Sequence, residues 1–582
     1  MRRIVPVSIC LLTLLLACQA VTRPVSKILS SHESVSITPT ELAGFNSFTE
    51  TPSFSSTPHF TFPSHPSFAA SATPDLPAGV NFTVRFHPDG GLYVGDQVSL
   101  EVIPTPEANL DGWEVLVQVD EPAGKTLKPA KFGRFGIAGR SQATLIWAWD
   151  TSGLIPGAHE LNFTVLPGGS TWSQIVSLLP EDQLPVSESQ ARWATSESQC
   201  CNVYYITQTA SERDLIALLQ MVDEQAESAN QILKAELDQP IAVTFVPRML
   251  GHGGFTNQEV SVSYLDRNYA DSSPAMVLHH ELVHLLDNRL GGEYRPTLLI
   301  EGLAVYLSGG HFKPEDLIPR AAALLELGAY IPLEPLTKDF YISQHETGYM
   351  EAGALVAFIV ENWGWEAFSS FYRDIHSPEN GDQTGAINAA LKNHYGVTLR
   401  ELEEQFLKRL KAQPVSTDVV EDVRLSLSYY DTVRRYQQAF DPSAYFLTAW
   451  MMDGEQMRRK GIVADYARHP TATENLALEN MLASAGRSLR QEDYSEVETE
   501  LQAVSGVLDG VAEGRADPFT GYPLAMDYFN IVQALKLQGL QAQRILVENN
   551  TARVWANTTG PQLSEVALLR EFENWQIISV AQ

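Results

Sequence analysis

Basic charge and cysteine are what this 582-residue chain has least of. Lys and Arg number 40 against 70 Asp and Glu, a formal net charge of −30. Phosphate backbones are gripped by clustered Lys and Arg, so this balance argues against a nucleic-acid partner and speaks for solubility, not for a fold. Only four cysteines occur, and Cys10 and Cys18 lie within the first 18 residues. The remaining two, Cys200 and Cys201, are adjacent. A disulfide between them would be strained, and its restrictive geometry favours reading them as two small apolar residues opening a strand. Residues 19–75 carry almost no charge and lack any helical or strand period; rich in Ser, Thr and Pro, they cannot build a core and read as a tether. Residues 415–540 lack a clear repeat, which argues against a solenoid and leaves a compact helical bundle.

At about 150 residues per domain the length predicts about four domains. Arg2 and Arg3 followed by the apolar run Ile4–Leu16 make a secretion signal too short for an ordinary membrane span. It ends Leu15-Leu16-Ala17-Cys18, which resembles a bacterial lipobox. That resemblance implies cleavage before Cys18, lipidation of its thiol, and an extracytoplasmic protein anchored to a bacterial membrane; a soluble secreted protein with an incidental cysteine is the alternative. From 76 to 185, short alternating runs (VNFTVRF, VSLEVI, WEVLVQV, ATLIWAW, HELNFTVL) separated by turn residues predict an antiparallel β-sandwich. GDQVSLEV and GLIPGAHELNFTV resemble the immunoglobulin-like modules of bacterial surface proteins. After the helix-rich stretch from 415, RILVENN, TARVWAN, EVALLREF and WQIISV predict a small antiparallel sheet closing the chain at 582.

The chemistry lies between these parts. Ser273-Pro274 reads as an N-cap with proline in the first turn and Gly291 as the terminating glycine, so residues 274–290 form one helix. On it His280 and His284 are four apart, on one face, where two imidazoles can hold a single metal ion; Glu281 stands beside them, suited to polarise a metal-bound water. RPTLLIEGLAVYLSGG reads as a second helix closing at Gly309. Its one carboxylate, Glu301, sits in an apolar run where an unpaired charge is costly. Two His and one Glu with a fourth position open are the ligand set of catalytic zinc. Upstream, NVYYITQ reads as a strand, Leu215 to Leu233 as an amphipathic helix, IAVTFVP as a strand and Val260–Tyr264 as another. Downstream, 346–362 reads as a helix with Tyr349 in its first turn.

HHELVH followed by IEGLAVYLSGG resembles the gluzincin metallopeptidases, in particular the bacterial peptidase-MA-like group related to thermolysin and the aminopeptidases. The resemblance covers roughly residues 200–412. It implies one Zn2+ per chain held by His280, His284 and Glu301, with Glu281 as general base and a peptide or protein as substrate. It further implies that Val260–Tyr264 is the sheet edge onto which a substrate peptide adds its main chain, an ordinary edge strand being the alternative. A Tyr at the position of Tyr349 donates to the oxyanion in the aminopeptidase-like members, although their glycine three residues on is Ala352 here and Gly353 comes one later; a packed Tyr is the other reading. The aminopeptidase Gly-x-Met-Glu-Asn stretch is absent from GHGGFTNQEVSVSY, which favours an endopeptidase.

The expected architecture is therefore multidomain. An α+β zincin-like metallopeptidase domain (196–412) lies between an all-β sandwich and a mainly helical C-terminal domain (415–582). A surface interaction protein that retains the zincin scaffold without catalysis is the competing class. The lipobox reading predicts that Cys18→Ser abolishes lipid labelling and releases the protein from washed membranes, because the acyl chains are the only evident anchor; a mutant retained there would contradict it.

Overall fold

The computed structural model describes residues 79–581 apart from 107, 121–123, 137–138, 236–238, 312, 342–344, 379–380, 446–452, 559 and 573. The signal, Cys18 and the 19–75 tether lie outside the described residues. Strands from Phe82 to Leu179 form an all-β N-terminal region on one continuous nine-stranded sheet. Phe82–His87, Gln97–Pro104, Arg140–Asp150, Ala130–Phe135, Glu114–Val119, Gly157–Leu166, Ser170–Leu179 and Leu92–Tyr93 follow in that order, and Lys125–Thr126 pairs with Glu114–Val119. Alternation places Val98, Leu100 and Val102 from one half of this sheet and Val115, Val117, Phe163 and Val165 from the other in a single buried cluster. The pairing is antiparallel throughout except where Leu92–Tyr93 runs parallel to Ser170–Leu179.

The middle region is built on a five-stranded sheet ordered Trp193–Glu197, Cys201–Ile206, Ile241–Val246, Val260–Ser263, Gly254–Thr256. Its two central pairings are parallel and the two outer ones antiparallel. A parallel crossover needs a connecting element, and the helix Leu215–Leu233 supplies it, burying Leu218, Val222, Ala226, Ala229 and Leu233 on one stripe. Two sequence expectations are corrected here, and elements appear where the sequence suggests none. Val260–Ser263 is not the sheet edge: it is buried at all four positions and flanked on both sides, because the glycine-rich stretch before it doubles back as the outer strand Gly254–Thr256. Residues 186–199, for which the sequence suggests no element, hold the helix Val186–Gln190 and the other edge strand, Trp193–Glu197, whose half-exposed alternation resembles a linker in composition. Cys200 and Cys201 are joined by a disulfide. Cys201 opens its strand, but Cys200 lies just before it with its N–H bonded to Asp223, so the strict face-to-face alternation of a strand does not separate the two side chains.

Helix Pro274–Leu290 packs on this sheet, Thr297–Ser308 packs on that helix and His345–Trp363 on Thr297–Ser308, all sharing one core in which Val243, Phe245, Leu282, Leu286, Leu303 and Leu355 are buried. Ser273 and Gly291 cap the first as expected, though the Ser273 side chain makes no capping bond. The other two approach closely because both carry glycine at the crossing: a Cβ on Gly302 would lie 2.5 Å from the Ala352 carbonyl oxygen, and one on Gly353 2.5 Å from Val305. The displaced glycine at 353 thus has a packing role here.

The C-terminal region is helical, with Thr417–Phe440, Thr473–Arg490, Tyr494–Ala512 and Pro523–Lys536 as its longest elements, followed by an antiparallel meander of four strands from Gln541 to Ala581. The first hairpin turns at Asn549, whose φ of 56° suits asparagine in a tight turn. Buried arginines fasten the three regions together. Arg248 pairs with Asp89 of the N-terminal strands and Asp441 of the C-terminal part; Arg468 bridges Asp96 and Glu188; Arg267 pairs with Glu479.

Within the C-terminal helices Glu500 is 1 % exposed, and burial pushes its carboxyl up to about 8. A carboxyl raised in the folded state favours folding fully only below its unfolded pKa near 4.5, and that advantage is lost as pH rises toward 8. Glu500→Gln should therefore raise stability by about 1–4 kcal/mol at pH 8 while changing little at pH 4. Melting curves of both proteins across that range check this; parallel curves would refute it.

Candidate metal centre

The helix Pro274–Leu290 presents His280 and His284 one turn apart, and Thr297–Ser308 brings Glu301 against them from the facing side. Nε2 of His280 lies 3.0 Å from Nε2 of His284, and Oε2 of Glu301 lies 3.2 and 3.3 Å from those two atoms. Bonds of about 2.0–2.1 Å to a tetrahedral zinc set its ligand atoms roughly 3.3 Å apart. The triangle has that size and contains the atom types zinc takes, so the residues fit the ion. Among the described residues these three form the one cluster able to hold a metal.

The electrostatics of the trio agree. Burial opposes ionisation of Glu301, yet the two imidazoles hold its carboxyl well below the usual range. Burial also pulls His284 down, but Glu301 and Glu281 outweigh it and push the imidazole up to about 9. His280, where burial dominates, falls to about 4. A metal ion entering the trio would have to displace any proton on His284, since only neutral imidazole ligates.

Glu281 is held differently. Thr256 Oγ1 lies 2.7 Å from its Oε2 and 2.9 Å from its backbone oxygen, tying the carboxylate to the edge strand. That strand passes so close that a Cβ on Gly254 would lie 2.5 Å from Glu281 Cγ. Burial raises the Glu281 carboxyl to about 7, with His284 and the Thr256 hydroxyl acting against the shift. Tyr349 reaches the same cleft: its ring stacks on His311 at 3.8 Å and stands 6.0 Å from the His280 ring. Burial, reinforced by Glu301, pushes its hydroxyl well above the ordinary tyrosine value, so it stays protonated.

All five predicted metal and catalytic residues thus meet in one place. The sequence reading missed five others. Tyr341 donates its hydroxyl to the second oxygen of Glu301. His311 accompanies Tyr349, and its signal was legible, since it follows directly on the Gly309-Gly310 that ends the second helix. Thr256 lies in the glycine-rich stretch read only for a motif it lacks. Arg434, with Tyr430, comes from the helix Thr417–Phe440 and lines the far side of a cleft of about 130 Å³ that contains His280 and Glu281; nothing in the sequence connects it to the motif.

No protein-family model matches this chain, and no curated protein matches it.

The purified chain should hold about one zinc, and His284→Ala and Glu301→Ala should each lose it. Titrating zinc into the metal-free protein at pH 7 should release about one proton per ion, measured by calorimetry in buffers of different ionisation heat. Full occupancy in both variants would remove the ligand assignment.

Proposed function

We propose that this chain is a membrane-tethered, extracytoplasmic zinc metallopeptidase of gluzincin type that cleaves peptide bonds, with endopeptidase action favoured. The observation that carries the reading is the buried triangle of His280, His284 and Glu301 with the Glu281 carboxylate beside it. The signal and lipobox carry the membrane tether. No helix among the described residues is long and apolar enough to cross a membrane.

Zinc in the triangle would supply Lewis acidity toward water and the scissile carbonyl. The chain's own groups do the rest. Glu281 takes a proton from the attacking water and later delivers it to the leaving amine, a double duty suited to a carboxyl near neutrality. Thr256 fixes the orientation of that carboxylate. Tyr341 does the same for Glu301. Tyr349, kept neutral by burial, donates to the oxygen that gains charge in the transition state. The edge strand Gly254–Thr256 pairs with Val260–Ser263 on one side, and an extended peptide adds its main chain along the other, running past Glu281.

Glu281→Gln should keep zinc and fold while hydrolysis of a peptide library falls ~10²-fold or more. Tyr349→Phe should lower kcat with KM little changed, as expected of a group that acts mainly in the transition state. Undiminished turnover in zinc-loaded Glu281→Gln would end the proposal, and an unaltered kcat in Tyr349→Phe would return that tyrosine to a packing role.

A further inference from the structure

A second cavity, of about 260 Å³, lies at the joint of the three regions and shares no lining residue with the metal cleft. One side of it is the central sheet. The strands Cys201–Ile206, Ile241–Val246 and Val260–Ser263 run parallel, and residues that follow each of them, among them Gln208, Pro247 and Asp266, line the cavity. The carboxyl ends of parallel strands are where open α/β sheets hold their ligands, because the chain leaves the sheet there in loops free to carry binding side chains. Tyr93 of the N-terminal region and His469, Gln541 and Asn557 of the C-terminal region complete the lining. Thr471 and Thr558, which also line it, are exposed, so the cavity opens to solvent.

The wall is polar without offering an unpaired charge. Of its ionic side chains, Asp89 pairs with Arg248, Asp266 with Arg213 and Glu188 with Arg468, at 2.6–2.8 Å. A charged ligand would have to break one of these pairs to find a counter-ion. Burial, helped by Arg267 and Arg248, holds the His469 imidazole well below its ordinary value, so it is neutral; its Nδ1 is buried without a hydrogen-bond partner. What the wall presents instead are amides and hydroxyls. Gln208 stands out among them: its φ of 65° is a left-handed conformation that side chains other than Asn and Asp rarely adopt. It bonds Glu212 through its main-chain N–H, and among the described residues its side-chain amide has no hydrogen-bond partner.

An amide holds a donor and an acceptor side by side, and a hydroxyl is both at once, so the two match in pairs. A pyranose presents such hydroxyls around an uncharged ring, with apolar C–H faces suited to an aromatic ring such as that of Tyr93. Small-molecule pockets start at about 300 Å³, so the cavity has the size for one sugar ring and not for a longer chain. We propose that this junction is a second binding site, separate from the metal centre, that receives a neutral saccharide, taken either as a free sugar or as the terminal residue of a glycan.

The test uses the full chain and calorimetric titration with D-glucose, D-galactose, D-mannose and N-acetyl-D-glucosamine. The amino sugar and the uronic acid of the same stereochemistry serve as charged counterparts, and a capped neutral dipeptide as a peptide counterpart. At least one neutral sugar should bind with a Kd of about 1 mM or tighter, and its charged counterparts about tenfold or more weaker. Gln541→Met removes an amide at nearly constant length. Gln208→Asn tolerates the same backbone while drawing the amide back by one methylene. Each should weaken the sugar about fivefold or more while zinc content stays unchanged, and if one variant does not fold the other decides. The methyl glycoside separates the two sources: undiminished binding assigns the end of a glycan, and its loss assigns a free sugar. No binding of any of the four neutral sugars, equal binding of the charged counterparts, tighter binding of the dipeptide, or full affinity in a folded variant overturns the proposal.

Discussion

A carboxylate in the middle of an apolar helix is the constraint around which the central region is arranged. Glu301 is 5 % exposed, between residues that the core requires to be hydrophobic. An isolated charge there would cost several kcal/mol, so the fold must bring it compensation. Two imidazoles from the preceding helix and the Tyr341 hydroxyl provide it, and they reach Glu301 only if the two helices lie side by side at one register. The close crossing at Gly302 and Gly353 sets how deep that pair lies against the helix His345–Trp363, and with it where Tyr349 enters the cleft. The metal reading follows from the same arrangement. Two imidazole nitrogens and a carboxylate oxygen converge at 3.0–3.3 Å, and a divalent ion satisfies all three more completely than a single shared proton.

A second set of buried charges decides how the regions meet. Arg248, Arg267 and Arg468 are each at most 8 % exposed, and their acidic partners come from distant parts of the chain. Breaking such a pair strands a buried charge, so sliding one region over another is strongly opposed. The consequence reaches the cleft. Asp441 follows directly on the helix Thr417–Phe440, and its pairing with Arg248, just beyond the strand Ile241–Val246, fastens the end of that helix, whose Tyr430 and Val433 line the same cleft as Gly254 and His280. An all-β region and a helical region that look like independent appendages in the sequence are thereby made part of one scaffold, and the C-terminal one supplies a wall of the site.

Much of this was legible from local pattern. The metal helix was readable to its end residues because proline, glycine and a spaced His pair are local signals. The N-terminal strands, the Leu215–Leu233 stripe and the closing meander were readable because period-2 and period-3.6 burial are written directly in residue order. Failures came where a local signal stood for a relation between segments. The edge strand was misplaced because Gly254–Thr256 is short and glycine-rich, and a strand of that kind exists only through its pairing to Val260–Ser263. Residues 193–197 went unrecognised for the same reason, as half-exposed polar alternation becomes a strand only beside Cys201–Ile206.

By itself, then, the sequence determined most of the elements and the candidate ligand set: which longer runs are helix or strand, that two histidines share a face, and that a carboxylate stands in an apolar run. Periodicity and the cost of burying charge are properties of neighbouring residues, so order along the chain suffices to state them. Only the tertiary structure decided that Thr256 holds Glu281, that Tyr341 holds Glu301, that His311 stacks on Tyr349, and that Arg434 lines the same cleft as His280 and Glu281 from another region. Each of these joins residues 25 to more than 150 positions apart, and such a meeting is set by how closely packed helices and buried ion pairs fix the register of distant segments, which no window of sequence contains.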